Sequence, residues 1–277
     1  ATSPWNTPIP RTARYEARSA AHVRALGGPL TSDPTQFTYP VYVVDDRTPR
    51  RAVHLDGRYS SVTGGGRRLR GVQRATVRIP IPDAARQSAG DDAQIILIDP
   101  VRGDEWGLWR AAQGPGGRWT ATNGYHYNTR WSGVPPAGFG SRGAGVPYLA
   151  GLVRPCEIRR GRIDHALAFA YDYPTARHVR PATKSDGDST HPDDVPEGAR
   201  FRLDPSITDA DLRRRGGGRA CRIIARALQR YGMYVIDNSG RPKIMLEYEG
   251  TARWRGLVSE HTAEAIPMRR LRLLELR

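Results

Sequence analysis

The chain is poor in lysine, sulfur and phenylalanine. Of its 43 basic residues only Lys184 and Lys243 are lysines, and it has two cysteines, three methionines and four phenylalanines. Two cysteines are too few for a structural zinc site and enough for one disulfide, so Cys156 and Cys221 are expected to pair. No apolar run is long enough to span a bilayer, so no membrane span is expected. No period of fixed length recurs, which excludes solenoids and propellers. The Gly-x-Ser-x-Gly elbow and the His-Glu-x-x-His metal helix are both missing. The run Gly64, Gly65, Gly66 leads into Arg67 and Arg68 rather than Lys and Ser or Thr. No helical pattern follows, so it is not a phosphate loop. His126, His165, His178 and His191 lack the close spacing of metal ligands, and neither metal nor cofactor is expected.

What is present is positive charge and turns. The 277 residues carry a net charge of +15, with a pI near 10.5. Such a field attracts polyanions, whether nucleic acid, anionic cell-wall polymer or uronate polysaccharide. The competing reading is an Arg-rich coding bias that leaves a solvated basic surface, because the arginines run from Arg11 to Arg277 rather than gathering in one tail. The 30 glycines and 22 prolines exceed a sixth of the chain, which calls for short elements and many turns. The start, Ala1-Thr2-Ser3-Pro4-Trp5, reads as the mature end of a secreted precursor. An extracellular monomer is therefore expected.

Periodicity places the elements. Apolar positions Ala220, Ile223, Ile224, Ala227, Leu228 and Tyr231 predict a helix over 219–231, stopped by Gly232. A smaller helix is expected over 16–26 and one helical turn within 207–215. Short strands are expected at 37–44, 53–55, 59–62, 75–81, 91–98, 199–203, 233–237 and 244–248. Residues 106–119 read as a hairpin, and a second hairpin turns at 238–240. Pro-punctuated residues 1–12 form an extended arm anchored by Trp5. These elements predict one mainly β domain over 1–277, an antiparallel β-sandwich or jelly-roll with one or two short helices.

The most informative stretch is 141–188. Ile163, His165, Leu167, Phe169 and Tyr171 share one face of a strand pattern, and Asp164, Ala166, Ala168, Ala170 and Asp172 share the other. His165 is either a satisfied core histidine or a proton shuttle beside Asp164. The run 123–132 is polar, loop-like and rich in rings. Tyr125, His126 and Trp131 either stack on sugars or bases or cover the end of the core.

The blocks 145–154 (GVPYLAGLVR), 161–169 (GRIDHALAF), 180–183 (RPAT), 196–206 (PEGARFRLDPS), 226–240 (RALQRYGMYVIDNSG) and 252–254 (ARW) come in an order that resembles a group of secreted, chiefly actinobacterial proteins. The resemblance covers roughly residues 88–277. It implies an extracellular polysaccharide context and no particular reaction; KSDG at 184–187 departs from its usual pattern.

Glycoside hydrolysis needs two carboxyls, about 5 Å apart for retention or about 6.5–9.5 Å for inversion. Asp164, Asp172, Asp186, Asp188, Asp237, Glu247 and Glu249 are available at strand ends or turns. Glu247 and Glu249 share a strand face about 7 Å apart, and a solvated face is the plainer reading of that pair. Asp164, His165 and Asp237 are the first choice for catalysis. Tyr125, His126, Trp131 and Arg200 are the first choice for substrate binding. A lyase on an acidic glycan would instead use His165, Tyr125, His126 and Arg200 to neutralise a uronate and take a proton. A non-catalytic carbohydrate- or cell-wall-binding protein is the third reading, and non-specific nucleic-acid binding ranks last.

Overall fold

The computed structural model describes residues 3–57, 60–64, 67–68, 74–140 and 142–276. Ala1 and Thr2 of the start, Tyr59 of the strand expected at 59–62, Gly65 and Gly66 of the glycine run, and Ser141 lie outside the described residues. The chain is mainly β, with α1 (Ser19–Ala25), α2 (Pro155–Arg160), α3 (Asp209–Arg214) and α4 (Arg219–Arg230) as its α-helices among the described residues.

The strand Leu167–Tyr171 shows how the layers form. It lies in a five-stranded sheet, ordered Lys243–Ile244, Leu167–Tyr171, Met233–Asn238, Arg200–Leu203, Leu271–Leu273. Its bulky side chains Leu167, Phe169 and Tyr171 join a core with Ile223, Ile224 and Leu228 of α4. Its small side chains Ala168 and Ala170 join a second core with Tyr234 and Ile236. That second core is completed by Val41, Ile96, Ile98, Tyr125 and Tyr127 of a four-stranded sheet. The reverse face of the four-stranded sheet carries Ile95, Leu97 and Leu108. These meet Val53, Leu55, Val77, Ile79 and Trp119 of another four-stranded sheet in a third core. Alternating side chains thus bury both faces of the central sheets, at roughly 1.5–3 kcal/mol per large apolar group.

Helix α4 starts at Arg219 as the spacing predicts. Gly232 follows it at φ +69°, where a Cβ would lie 2.3 Å from the Phe201 carbonyl oxygen. Helix α2 was not legible from apolar spacing. It is defined by Pro155 in its first turn, by the Glu157 side chain accepting from the Arg154 backbone N–H, and by Gly161 at φ +88°. Trp5 docks the N-terminal arm: it is buried, its Nε1 donates to the Gly133 carbonyl, and its ring meets Tyr234 edge-on at 5.0 Å.

Four expectations need correction. The sheets are mixed rather than antiparallel: Val41–Val43 runs parallel to Ile95–Asp99, Leu167–Tyr171 to Met233–Asn238, and Arg50–Leu55 to Trp119–Ala121. The hairpin expected over 106–119 forms only around its turn, where Ala112–Gln113 pairs antiparallel with Trp119–Ala121, and the one expected at 238–240 does not form. Asp104–Trp109 pairs with Asn123–Asn128, and Lys243–Ile244 pairs with Leu167–Tyr171. The ring-rich run 123–128 is therefore a strand, not a loop. Finally, Cys156 and Cys221 are not bonded. Cys156 is exposed on α2, while Cys221 is buried on the core side of α4.

Burial pushes the Cys221 thiol up to about 11, which keeps it protonated and inert. One thiol per chain is thus expected to react with a maleimide under native conditions and two after denaturation. Reductant is expected to leave Tm unchanged. A native count of zero with a reductant-sensitive Tm would restore the disulfide.

Candidate functional site

A β-bulge sets the position of the site. Phe169 pairs with Val235, but Ala170 pairs with Asp237, so Ile236 is an extra residue in its strand. Strict alternation would put Asp237 beside Val235, in the core under α4. The bulge instead brings it to the Ala170 side, where a cleft of about 500 Å³ opens.

The cleft wall carries rings. Tyr39 and Tyr148 pack at 4.8 Å, and Asp92 Oδ1 accepts from the Trp109 indole at 2.9 Å. Phe37 is 53% exposed and sits at φ +48°, a left-handed conformation that costs a bulky residue roughly 1–2 kcal/mol. Lys243 supports this turn by donating to the Gln36 and Phe37 carbonyls. Burial pulls the Lys243 ammonium down to about 8 despite Asp33 nearby.

Carboxyl groups converge at the floor. One oxygen each from Asp186, Glu197 and Asp237 lies within 4.8 Å of the others. Burial raises Asp237 to about 7, the Asp186 charge adds to the rise, and Arg142 and Lys184 oppose it. Burial likewise lifts Glu197 to about 10, reinforced by Asp237 and Asp186. Burial lowers Lys184 against the pull of all three carboxyls. Its Nζ donates to the Arg142 and Gly143 carbonyls at 2.5 and 2.8 Å. Arg142 is almost wholly buried. It donates to the Tyr148 and Ala150 carbonyls and lies 4.7 Å over the Tyr39 ring. The three carboxyls crowd one another, and Lys184 supplies a positive charge beside them.

Of the residues predicted for catalysis, Asp237 lines this cleft and the other two do not. Asp164 is half-buried in the segment between α2 and Leu167–Tyr171, paired with Arg162 at 2.9 Å and Arg160 at 3.6 Å. His165 precedes its strand, bonded through Nε2 to Glu157 Oε1 at 3.0 Å and through Nδ1 to the Ala166 carbonyl. It borders a different hollow, of about 160 Å³, beside Trp5 and Tyr127. The predicted binding residues also lie outside the cleft. Tyr125 is fully buried: its hydroxyl donates to Glu105 and accepts from the Tyr148 N–H at 2.6 Å. His126 Nε2 contacts Asp104 Oδ1 at 2.9 Å, and half-exposed Trp131 packs edge-on against Tyr127. Arg200 donates to the Tyr231 and Thr7 carbonyls and covers Tyr234.

Burial opposes a charged His165, but the Glu157 carboxylate, the Ala166 carbonyl and Asp164 outweigh it and raise its value. A histidine raised on folding stabilises fully below its unfolded value, near 6.5, and loses that contribution as pH rises through the folded value. The stability gap between the native chain and His165→Gln is therefore expected to be larger at about pH 6 than at about pH 9 in urea unfolding. A gap independent of pH would remove the ion pair from the account.

Reading the sequence missed Arg142, Lys184 and Glu197. One signal was available: in a chain that otherwise uses arginine, both lysines line this cleft. Comparison with protein-family models, curated proteins and solved structures returned no match.

Proposed function

We propose that this cleft hydrolyses glycosidic bonds of an extracellular polysaccharide. Asp237 donates the proton to the leaving oxygen and Asp186 is the opposing carboxylate. The observation that carries the reading is the approach of Asp186 and Asp237 to within 4.8 Å, with Asp237 raised to about 7. A carboxyl with that value is partly protonated at neutral pH and suited to act as an acid. Carboxyl oxygens no more than 4.8 Å apart are too close for the wide gap of an inverting pair and favour a retaining displacement, with Asp186 as nucleophile. The exposed Phe37 ring and the partly exposed Trp109 supply surfaces for sugar faces. Within this reading the two central sheets, closed over the core that contains Ala170 and Ile96, form a sandwich with the cleft at one end.

Lys184 favours a second reading. Burial favours its neutral amine, which takes a carbon-bound proton from a uronate and becomes the ammonium as the leaving oxygen departs in an elimination. Incubation with neutral and acidic glycans separates the two. Hydrolysis yields reducing ends without ultraviolet absorbance, with the first-formed anomer retained by NMR. An unsaturated, absorbing product would replace hydrolysis by elimination. Retention on a glycan gel without any product would leave a binding protein.

A further inference from the structure

Glu197, buried behind the cleft floor next to Asp186, is the least expected group here. It lies on the short strand Pro196–Glu197, paired in parallel with Thr175–His178, and is fully buried. Neither of its carboxyl oxygens accepts a hydrogen bond from the described residues. A buried carboxylate anion without donors costs several kcal/mol. The charged and titratable groups facing it are Asp186, Asp237 and Lys184. Lys184 directs its ammonium to the Arg142 and Gly143 carbonyls, so it does not satisfy the Glu197 oxygens.

Asp186 and Glu197 meet over Gly143. A Cβ on Gly143 would lie 2.4 Å from Asp186 Oδ1 and 2.5 Å from Glu197 Oε1, so both oxygens face the same point. Two ionised carboxylates so placed repel. One proton between them turns the contact into a short, charge-assisted O–H···O bond. Asp186 reaches solvent and Glu197 does not, so the proton belongs to Glu197 and the charge to Asp186.

We infer that Glu197 is a positioning residue: as a neutral acid it donates its proton to Asp186, fixing Asp186 as the anion that faces Asp237. The role in turnover rests on the hydrolytic reading, whereas the shared proton does not. With Glu197 neutral, the floor carries the Asp186 charge against Lys184 and Arg142. It is that Asp186 charge which helps keep Asp237 protonated. A Gly143 side chain would wedge the two carboxyls apart.

Two measurements test this. Infrared spectra of protein with isotope-labelled glutamate carboxyls are expected to show a protonated carboxylic acid at about pH 8 that Glu197→Gln removes. This arm needs no substrate, so it stands or falls apart from hydrolysis. The second arm is the pH profile of kcat/KM. Glu197→Gln, whose amide can still donate to Asp186, is expected to keep both limbs in place. Glu197→Leu, of similar size but with no donor, is expected to raise the acid limb by about one pH unit, because Asp186 loses the bond that favours its anion. A structural filler would leave that limb unmoved in the Leu variant, and this result overturns the inference. So does a missing protonated band, or a Gln variant whose limbs shift. A Tm increase with millimolar calcium or manganese that Glu197→Gln abolishes would replace the shared proton by a divalent cation. If Glu197→Leu fails to fold, the infrared band and the Gln profile decide.

Discussion

Asp237→Asn is expected to lower kcat/KM on the cleaved glycan by roughly 10²–10⁴-fold, the usual contribution of a positioned general acid. Asparagine keeps the shape of the side chain and has no proton to give. Because Asp237 is the penultimate residue of its strand, beside the bulge and facing the cleft, the surrounding cores should be unaffected. In the native protein the group must be protonated, so activity is expected to fall as pH rises through about 7. The stability change has the opposite sign. A carboxyl raised on folding is harmless below its unfolded value, near 4, where both states are protonated. It becomes progressively destabilising as pH rises from there to about 7, and the penalty then stays constant. Asp237→Asn should therefore raise Tm at neutral pH and leave it unchanged near pH 4. An active Asn variant would remove Asp237 from the chemistry. An inactive variant without added stability at neutral pH would remove its perturbed ionisation.

The features legible in the sequence are those set by local period. The stripe from Ala220 to Leu228 needs only 3.6-residue spacing, and α4 follows it. The contrast between Leu167, Phe169, Tyr171 and Ala168, Ala170 needs only a period of two, and the two cores divide along it. Long-range pairing leaves no such trace. The turn before Trp119–Ala121 does close a short hairpin with Ala112–Gln113, yet Asp104–Trp109, which has the spacing to be its first strand, pairs with Asn123–Asn128 instead. Asp237 could be singled out as an acid ending an apolar strand, but the bulge that redirects it is a property of two strands together. Glu197 lies between Pro196 and Gly198 in what reads as a polar loop. Its burial comes from the strand Thr175–His178 and from the carboxyls that close over Gly143. His165 had the right chemistry, but it lies outside the strand whose alternation was used to place it.

Arg142→Met is expected to destabilise the fold by about 3–6 kcal/mol, since two charge-assisted hydrogen bonds at about 1.5–3 kcal/mol each are lost and the Tyr148 and Ala150 carbonyls are left without that donor. For a chain of this size that corresponds to a fall in Tm of about 10 °C. Methionine retains much of the buried volume against Tyr39, so the loss reports the guanidinium rather than a cavity. The same substitution should change the chemistry in a specific direction. Arg142 opposes the rise of Asp237, so without it Asp237 should hold its proton to higher pH, and the alkaline limb of the rate profile should move up. Arg142→Lys should restore the positive charge, and with it the limb, but only part of the stability, because a point-like ammonium cannot both fork to two carbonyls and lie flat on a ring. A Met variant with native Tm would show that the two carbonyls find other donors. An unmoved alkaline limb, in a Met variant that folds, would show that the proton lost near pH 7 is not on Asp237.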